Sequence, residues 1–282
     1  MRILKITGLF LIVMVLLACS VSVNVPTLSA GETRTFTVDE PLSSGVDLYK
    51  VGIEMGAGRL TLAGGSSNLI EGEVSYNIRS WEPKVSRSTD AFTIKQTNTD
   101  QLGIPSGTIK NQWNLRLGSV PMELSIATGA SESDFDLSGL SITNLTISDG
   151  ASKSTVRFDT GNPEIMGLFS YTTGASTVEL IGLGNSNAQE IKFEGGVGSY
   201  TLDFSGFLGH DMNVTINTGV SDVKLIIPAD AYVRVNNNGA LSDIDVSGTW
   251  TVNNNTYTVG EQGPLITINV EMAVGSLHLM QK

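Results

Sequence analysis

Phe169-Ser170-Tyr171-Thr172-Thr173-Gly174-Ala175-Ser176-Thr177-Val178-Glu179-Leu180 decides how the chain is read. Large apolar residues recur at every second position on either side of a small Gly-Ala-Ser turn. Period-two alternation places one face of each arm in a core. The turn recurs as Gly56-Ala57-Gly58, Gly129-Ala130-Ser131, Gly150-Ala151-Ser152, Gly196-Val197-Gly198, Gly219-Val220-Ser221 and the looser Gly239-Ala240-Leu241. Ala273-Val274-Gly275 is an eighth copy near the end of the chain. From Gly129 to Gly239 the copies lie about 20–24 residues apart, the range of a solenoid coil. A lone pair of arms cannot bury its apolar face, whereas stacked copies cover one another.

The alternation names the inward residues. First arms present Leu124/Ile126, Leu145/Ile147, Phe169/Tyr171, Ile191/Phe193, Val214/Ile216, Val233/Val235 and Ile266/Ile268. Second arms present Phe135/Leu137, Val156/Phe158, Val178/Leu180, Tyr200/Leu202, Val223/Leu225, Ile244/Val246 and Leu277/Leu279. Gly56, Gly129, Gly150, Gly174, Gly196, Gly219 and Gly239 are read as structural turn glycines, each taking positive φ. The Ala or Val that follows is expected to point inward at a crowded corner. The expected fold is all-β: a right-handed β-helix or solenoid-like stack of two-arm repeats of about 22 residues, with an N-terminal β region and a C-terminal cap.

Residues 1–18 read as a lipoprotein signal peptide. Arg2 and Lys5 precede the apolar run from Ile6 to Leu17. That run, about 12 residues, is short for a membrane span and suits a signal h-region. Leu16-Leu17-Ala18-Cys19 resembles the bacterial lipobox, which implies cleavage before Cys19 and acylation of its thiol. Cys19 is the only cysteine, so no intrachain disulfide can form. Residues 19–34 read as the lipidated N-terminus and a flexible tether, 35–122 as an N-terminal β region, and 123–282 as the repeat solenoid with its cap. Residues 247–282 are the expected cap, with Trp250 and Asn253-Asn254-Asn255 in an insertion before the last turn.

The chain has 17 Lys and Arg against 28 Asp and Glu, a net charge of −11, and no basic cluster. This argues against nucleic acid as a partner and against electrostatic docking on anionic lipid.

Catalytic chemistry is sparse. The two histidines, His210 and His278, fall in an inter-repeat loop and on the outward side of the last arm. No Gly-x-Ser-x-Gly elbow or zinc spacing accompanies them. No cofactor and no structural or catalytic metal is expected. Glu132, Asp134, Asp136, Asp203, Asp222, Asp243 and Asp245 lie on or beside second arms. In register they could form an acidic ladder, which leaves Ca²⁺ or a glycosidase-like carboxylate pair as open readings. Trp81 and Trp250 sit in loops and Trp113 alternates with Leu115 and Leu117, so the first two are the more open to sugar stacking.

Met55-Gly56-Ala57-Gly58-Arg59-Leu60-Thr61-Leu62, Tyr76-Asn77, Trp81-Glu82-Pro83-Lys84-Val85, Asn111-Gln112-Trp113-Asn114-Leu115, Asp136-Leu137-Ser138-Gly139-Leu140 and the Gly-Ala-Ser turns follow one another in this order. Together these pieces resemble the toast-rack family, in a lipoprotein version of the DUF2154 type. The resemblance implies a rack of stacked β-coils, with a repeat similar to LiaF-like sensing domains and adhesin-like proteins. It transfers no catalytic or ligand residue. A lipobox stands where LiaF-like proteins carry several membrane spans.

The expected function is a non-enzymatic, lipid-anchored extracytoplasmic scaffold or interaction module of the bacterial cell envelope, adhesin-like in build. Its expected partners are the membrane through Cys19, and another envelope protein or a second copy of itself. Two alternatives are an envelope-stress sensing partner of a membrane signalling system, and a carbohydrate-binding or carbohydrate-active protein using surface carboxylates and Trp.

Overall fold

The computed structural model describes residues 27–97, 104–239 and 241–282. Cys19, the signal segment and the first part of the tether lie outside the described residues. The fold is all-β and solenoid-like. Its repeating unit is one long strand that carries both arms and bends at the small-residue turn. These strands are β3 (Tyr49–Ser66), β9 (Met122–Asp136), β10 (Ile142–Arg157), β11 (Met166–Ile181), β12 (Ala188–Asp203), β13 (Met212–Ile227) and β18 (Leu265–Gln281). They stack in parallel and in the order just given.

Register brings like residues into columns. Leu124, Leu145, Phe169, Ile191, Val214 and Ile268 form one, and Phe135, Val156, Leu180, Leu202, Leu225 and Leu279 another. All are buried. Each contributes about 1.5–3 kcal/mol of burial. The expected inward pairs are thus in the core, except that Val246 of Ile244/Val246 is exposed, and several are offset by two residues. Val156 faces Leu180, not Val178, Phe135 follows suit, and Ile268 rather than Ile266 faces Val214.

The returns between coils are short loops stitched by asparagines. Buried Asn162 accepts from the Ile142 amide at 2.9 Å and donates to the Ile142 carbonyl at 2.8 Å and the Ser186 carbonyl at 3.1 Å. Asn185 and Asn187 repeat the device on the Phe158 and Glu164 carbonyls. Buried loop backbone therefore finds partners in adjacent coils.

No break in pairing marks the expected boundary near residue 122. β3 lies in register on β9 from Tyr49↔Met122 to Ala63↔Asp136, so the N-terminal region supplies the first coil. On its other side, the first arm of β3 pairs with β6 (Ala91–Gln96), which pairs with β5 (Pro83–Arg87). Its second arm pairs with β8 (Asn111–Gly118), followed by β4 (Ile70–Tyr76) and β2 (Arg34–Glu40). β1 (Thr27–Ser29) pairs with β7 (Ile104–Ser106), so this part of the expected tether is strand.

The C-terminal end differs from the expected cap. β18 is an inner coil, because it lies between β13 and the outermost coil. That outermost coil comes earlier in the chain, as β14 (Tyr232–Asn237) and β15 (Leu241–Ser247), both on β18. The hairpin of β16 (Thr251–Asn253) and β17 (Thr256–Val259) covers β14 antiparallel. Beyond β15 no described strand pairs.

Candidate functional site

The bend is the most repeated surface. The turn glycines do not take positive φ. Within these bends positive φ falls two residues on, at Gly58 and Gly275. The physical reason for glycine is close approach between coils. A Cβ on Gly129, Gly150, Gly174, Gly196 or Gly219 would meet the carbonyl oxygen of the equivalent glycine one coil earlier, at 2.9 Å or less. The glycines form a ladder of backbone on backbone. Gly239 is not part of it. It lies between β14 and β15, where its amide donates to Asn237 Oδ1 at 3.1 Å.

The residue after the glycine points outward, the reverse of the expectation. Val197, Val220 and Val274 are 57%, 55% and 45% exposed. In the bends of Gly129, Gly174 and Gly219 the residues just before and two after the glycine face in and make a polar spine of Thr and Ser. Thr128 bonds Ser131 at 2.9 Å, and Ser221 donates to Thr218 at 2.8 Å.

One carboxylate interrupts this spine. Asp149 is buried and accepts from Tyr171 Oη at 2.6 Å, from Ser176 Oγ at 3.1 Å and from Thr173 Oγ1. Burial first, and then the Asp149 charge, push the Tyr171 phenol far above its usual range. One coil on, the spine positions are Gly195 and Gly198, and the ring of Tyr200 fills the space. A Cβ on Gly195 would lie 2.6–2.9 Å from the Tyr200 ring and hydroxyl. Tyr200 Oη is buried and makes no hydrogen bond. Its phenol is also raised, by burial and then by Asp149. Phe193 links the two phenols, stacked on Tyr171 at 5.6 Å and edge-on to Tyr200 at 4.9 Å. The sequence reading places Tyr171 and Tyr200 only as inward core residues and does not single out Asp149. Aligning the repeats shows the signal: Asp149 and Gly195 stand where the coils of Gly129, Gly174 and Gly219 carry Thr.

The second-arm outer face carries the expected carboxylates, interleaved with cations. Arg59 reaches Glu132 at 2.6 Å, and Arg157 reaches Asp134 at 3.0 Å and Asp136 at 3.7 Å. Asp203 is buried, caps the Ser205 amide at 2.8 Å and lies 3.7 Å from Lys282. His278 is outward, as expected, between Asp222 at 3.5 Å and Asp245 at 3.2 Å. With Lys224 these groups line a surface hollow of about 490 Å³ at the C-terminal end. Among the described residues no three His, Cys, Asp or Glu gather to hold a metal ion. His210 sits in its loop, bonded to the Asp211 carbonyl at 2.9 Å and Asn187 Oδ1 at 3.0 Å.

Two of the three tryptophans are buried. Trp81 is 7% exposed and Trp113 fully buried, with its Nε1 donating to Asn111 Oδ1 at 2.9 Å. Trp250 is half-buried against the core and donates to the Ser247 carbonyl at 3.2 Å. Among the described residues no helix is long and apolar enough to cross a membrane.

A glycine-laddered stack of parallel two-arm coils defines the class: a solenoid-like β protein. The family model described as the N-terminal domain of toast_rack, DUF2154, matches residues 28–167, and that segment belongs to the toast-rack family. The match runs across the β3–β9 junction, in keeping with the continuous stack. No curated protein matches the chain. Among solved structures, a candidate cell adhesion protein from Clostridium sporogenes is 21% identical, with 89% of this chain and 99% of that one covered, at a TM-score of 0.49. A candidate lipid binding protein from Parabacteroides distasonis is 7% identical, with 90% and 99% covered, at 0.41. A candidate adhesin from Bacteroides fragilis is 12% identical, with 88% and 95% covered, at 0.36.

Proposed function

We propose that the chain is a non-enzymatic, lipid-anchored extracytoplasmic scaffold or interaction module of the bacterial cell envelope. The observation that carries the reading is the fate of the outward side chains. From β3 to β15 they form two broad ladders in which Glu54, Glu132, Asp134, Asp222 and Asp245 meet Lys, Arg or His of neighbouring strands. Such a surface suits contact with another macromolecule over many coils. Several of the groups a carbohydrate reading would use are committed elsewhere: Trp81 and Trp113 to the core, Glu132, Asp134 and Asp136 to arginines. The Leu16-Leu17-Ala18-Cys19 run supports the anchor.

The test is metabolic labelling with an alkyne fatty acid in a bacterial host. The full chain takes the label and sediments with membranes, while Cys19→Ala does neither. An unlabelled, freely released wild type overturns the anchor. For the interaction role, cross-linking in intact membranes yields discrete adducts with a second envelope protein. A chain that cross-links to nothing overturns it.

A further inference from the structure

The outermost coil is finished on one arm and unfinished on the other. On the first arm, the β16–β17 hairpin covers β14, and Val233 and Val235 are fully buried. On the second arm, β15 pairs with β18 and with nothing else described. The column Leu225, Leu279, Val246 ends abruptly: the first two are fully buried and Val246 is 41% exposed. A free strand edge with an apolar inner face is a template for one more strand.

The outward residues of β15 select what that strand is. Asp243 and Asp245 face out, and the Asp245 side chain is 73% exposed. Inside the stack, carboxylates on the second arm meet bases in adjacent coils, as Glu132 meets Arg59 and Asp222 meets His278. Asp245 has its base on the inner side only, in His278. Two copies joined antiparallel through β15 would set Asp243 opposite Asp245 twice, and like charges directly opposite are destabilising. A strand with Lys or Arg outward and apolar residues inward extends both columns.

We propose that the free edge of β15 is a docking site for an extended segment of a partner protein that alternates basic and apolar residues. The proposal rests on the reading of the chain as an interaction module, and not on lipidation of Cys19. Failure of fatty-acid labelling leaves the result below untouched, and failure below leaves the anchor standing.

The test uses the full-length chain in detergent and a fluorescent peptide of alternating Lys and Val. The peptide binds the wild type, and more weakly at high salt because exposed charges are screened. Reversing both charges, Asp243→Lys with Asp245→Lys, weakens it by about tenfold or more, since two favourable cross-strand pairs become repulsive. The same variant gains affinity for a Glu-Val peptide. N-methylation of alternate peptide amides abolishes binding, because strand addition needs the backbone. The neutral pair Asp243→Asn with Asp245→Asn gives an intermediate loss, and serves if the reversal fails to fold. No binding of the Lys-Val peptide overturns the proposal, as does binding indifferent to charge or to N-methylation. A concentration-dependent wild-type dimer that these substitutions abolish also overturns it, assigning the edge to a second copy.

Discussion

Two bends, one coil apart, solve the same corner in opposite ways. In the bend of β11, Thr173 and Ser176 fill the inner corner and bond the buried Asp149. In the bend of β12, Gly195 and Gly198 empty the corner, and the Tyr200 ring occupies it with its hydroxyl unbonded. The first is a polar corner whose donors and acceptor are matched. The second is an aromatic corner carrying one polar atom without a partner. The outer geometry is the same because both bends rest on the glycine ladder, whose rungs are set by the backbone of the neighbouring coil. Across these two coils the inner chemistry changes while the glycine rung is kept; in β18 the rung position is Ala273, and Gly275 two residues on takes positive φ.

The largest effect therefore belongs to the rung. Gly174→Ala and Gly196→Ala each drive a Cβ into a backbone oxygen, of Gly150 and Gly174 respectively, and backbone cannot step aside as a side chain can. Each is expected to cost about 3 kcal/mol or more in urea unfolding. Gly161→Ala, where an added Cβ meets nothing within 4 Å, is expected to stay within about 0.5 kcal/mol of the wild type. Unequal costs at Gly174 and Gly196 would separate the two bends at the backbone and break the comparison.

Asp149→Ala tests the matched corner. It leaves Tyr171, Thr173 and Ser176 with buried hydroxyls short of an acceptor. The expected loss is about 2–3 kcal/mol, since stranded buried donors carry their desolvation cost. A loss below about 0.5 kcal/mol would show that the hydroxyls bond one another equally well.

The two corners can also be exchanged. Gly195→Thr restores the residue found in the β11 bend, but its Cβ strikes the Tyr200 ring, so alone it destabilises. Tyr200→Val restores the residue of the adjacent coils, Val178 and Val223, but alone it leaves a void. Together the new side chain fills the void, and the double-mutant cycle is expected to show favourable coupling of about 1–2 kcal/mol. Additive losses would mean that β12 differs from β11 in more than the occupant of its corner.

These corners show what the sequence makes legible. The repeat, its turn and the alternation are local, so the stacked coils and nearly all the core could be read from spacing. The role of the glycines could not, because the steric partner of Gly174 is Gly150, a coil away, and not its own chain neighbours. For the same reason the outward turn of Val197 was misjudged. Placement of β18 between β13 and β14–β15 was hidden because repeats are usually stacked in chain order. Asp149 was legible as a departure from Thr, but its meaning depends on Tyr171 and Ser176 of the next coil. The carboxylates of the second arm were found correctly, and only register shows which are bound to Arg59 and Arg157.

The phenols bring a pH dependence. Tyr171 is held neutral by burial and by the Asp149 charge. An unfolded tyrosine ionises near pH 10, so above that pH unfolding releases a proton that the folded state retains. Stability is therefore unaffected by this group below about pH 10 and falls above it, by up to about 1.4 kcal/mol per pH unit. Urea midpoints measured on either side of pH 10 should decline in the wild type and decline less steeply in Tyr171→Phe. Equal slopes would mean that Tyr171 ionises in the fold as freely as in the unfolded chain.

The smallest expected effect falls on Tyr200→Phe. The substitution keeps the ring that fills the Gly195–Gly198 corner and its edge-on contact with Phe193. It removes only a buried hydroxyl that bonds no protein atom. Folding strips that hydroxyl of its water partners, a cost the phenylalanine ring does not carry. The variant is expected to match the wild type or to gain up to about 1 kcal/mol. Tyr171→Phe, by contrast, takes a donor from Asp149 and is expected to lose about 1–2 kcal/mol. Opposite signs from the same chemical change, one coil apart, would confirm that one corner is matched and the other is not. A loss at Tyr200 as large as that at Tyr171 would show that its hydroxyl does bond in solution, and the two corners would then be alike.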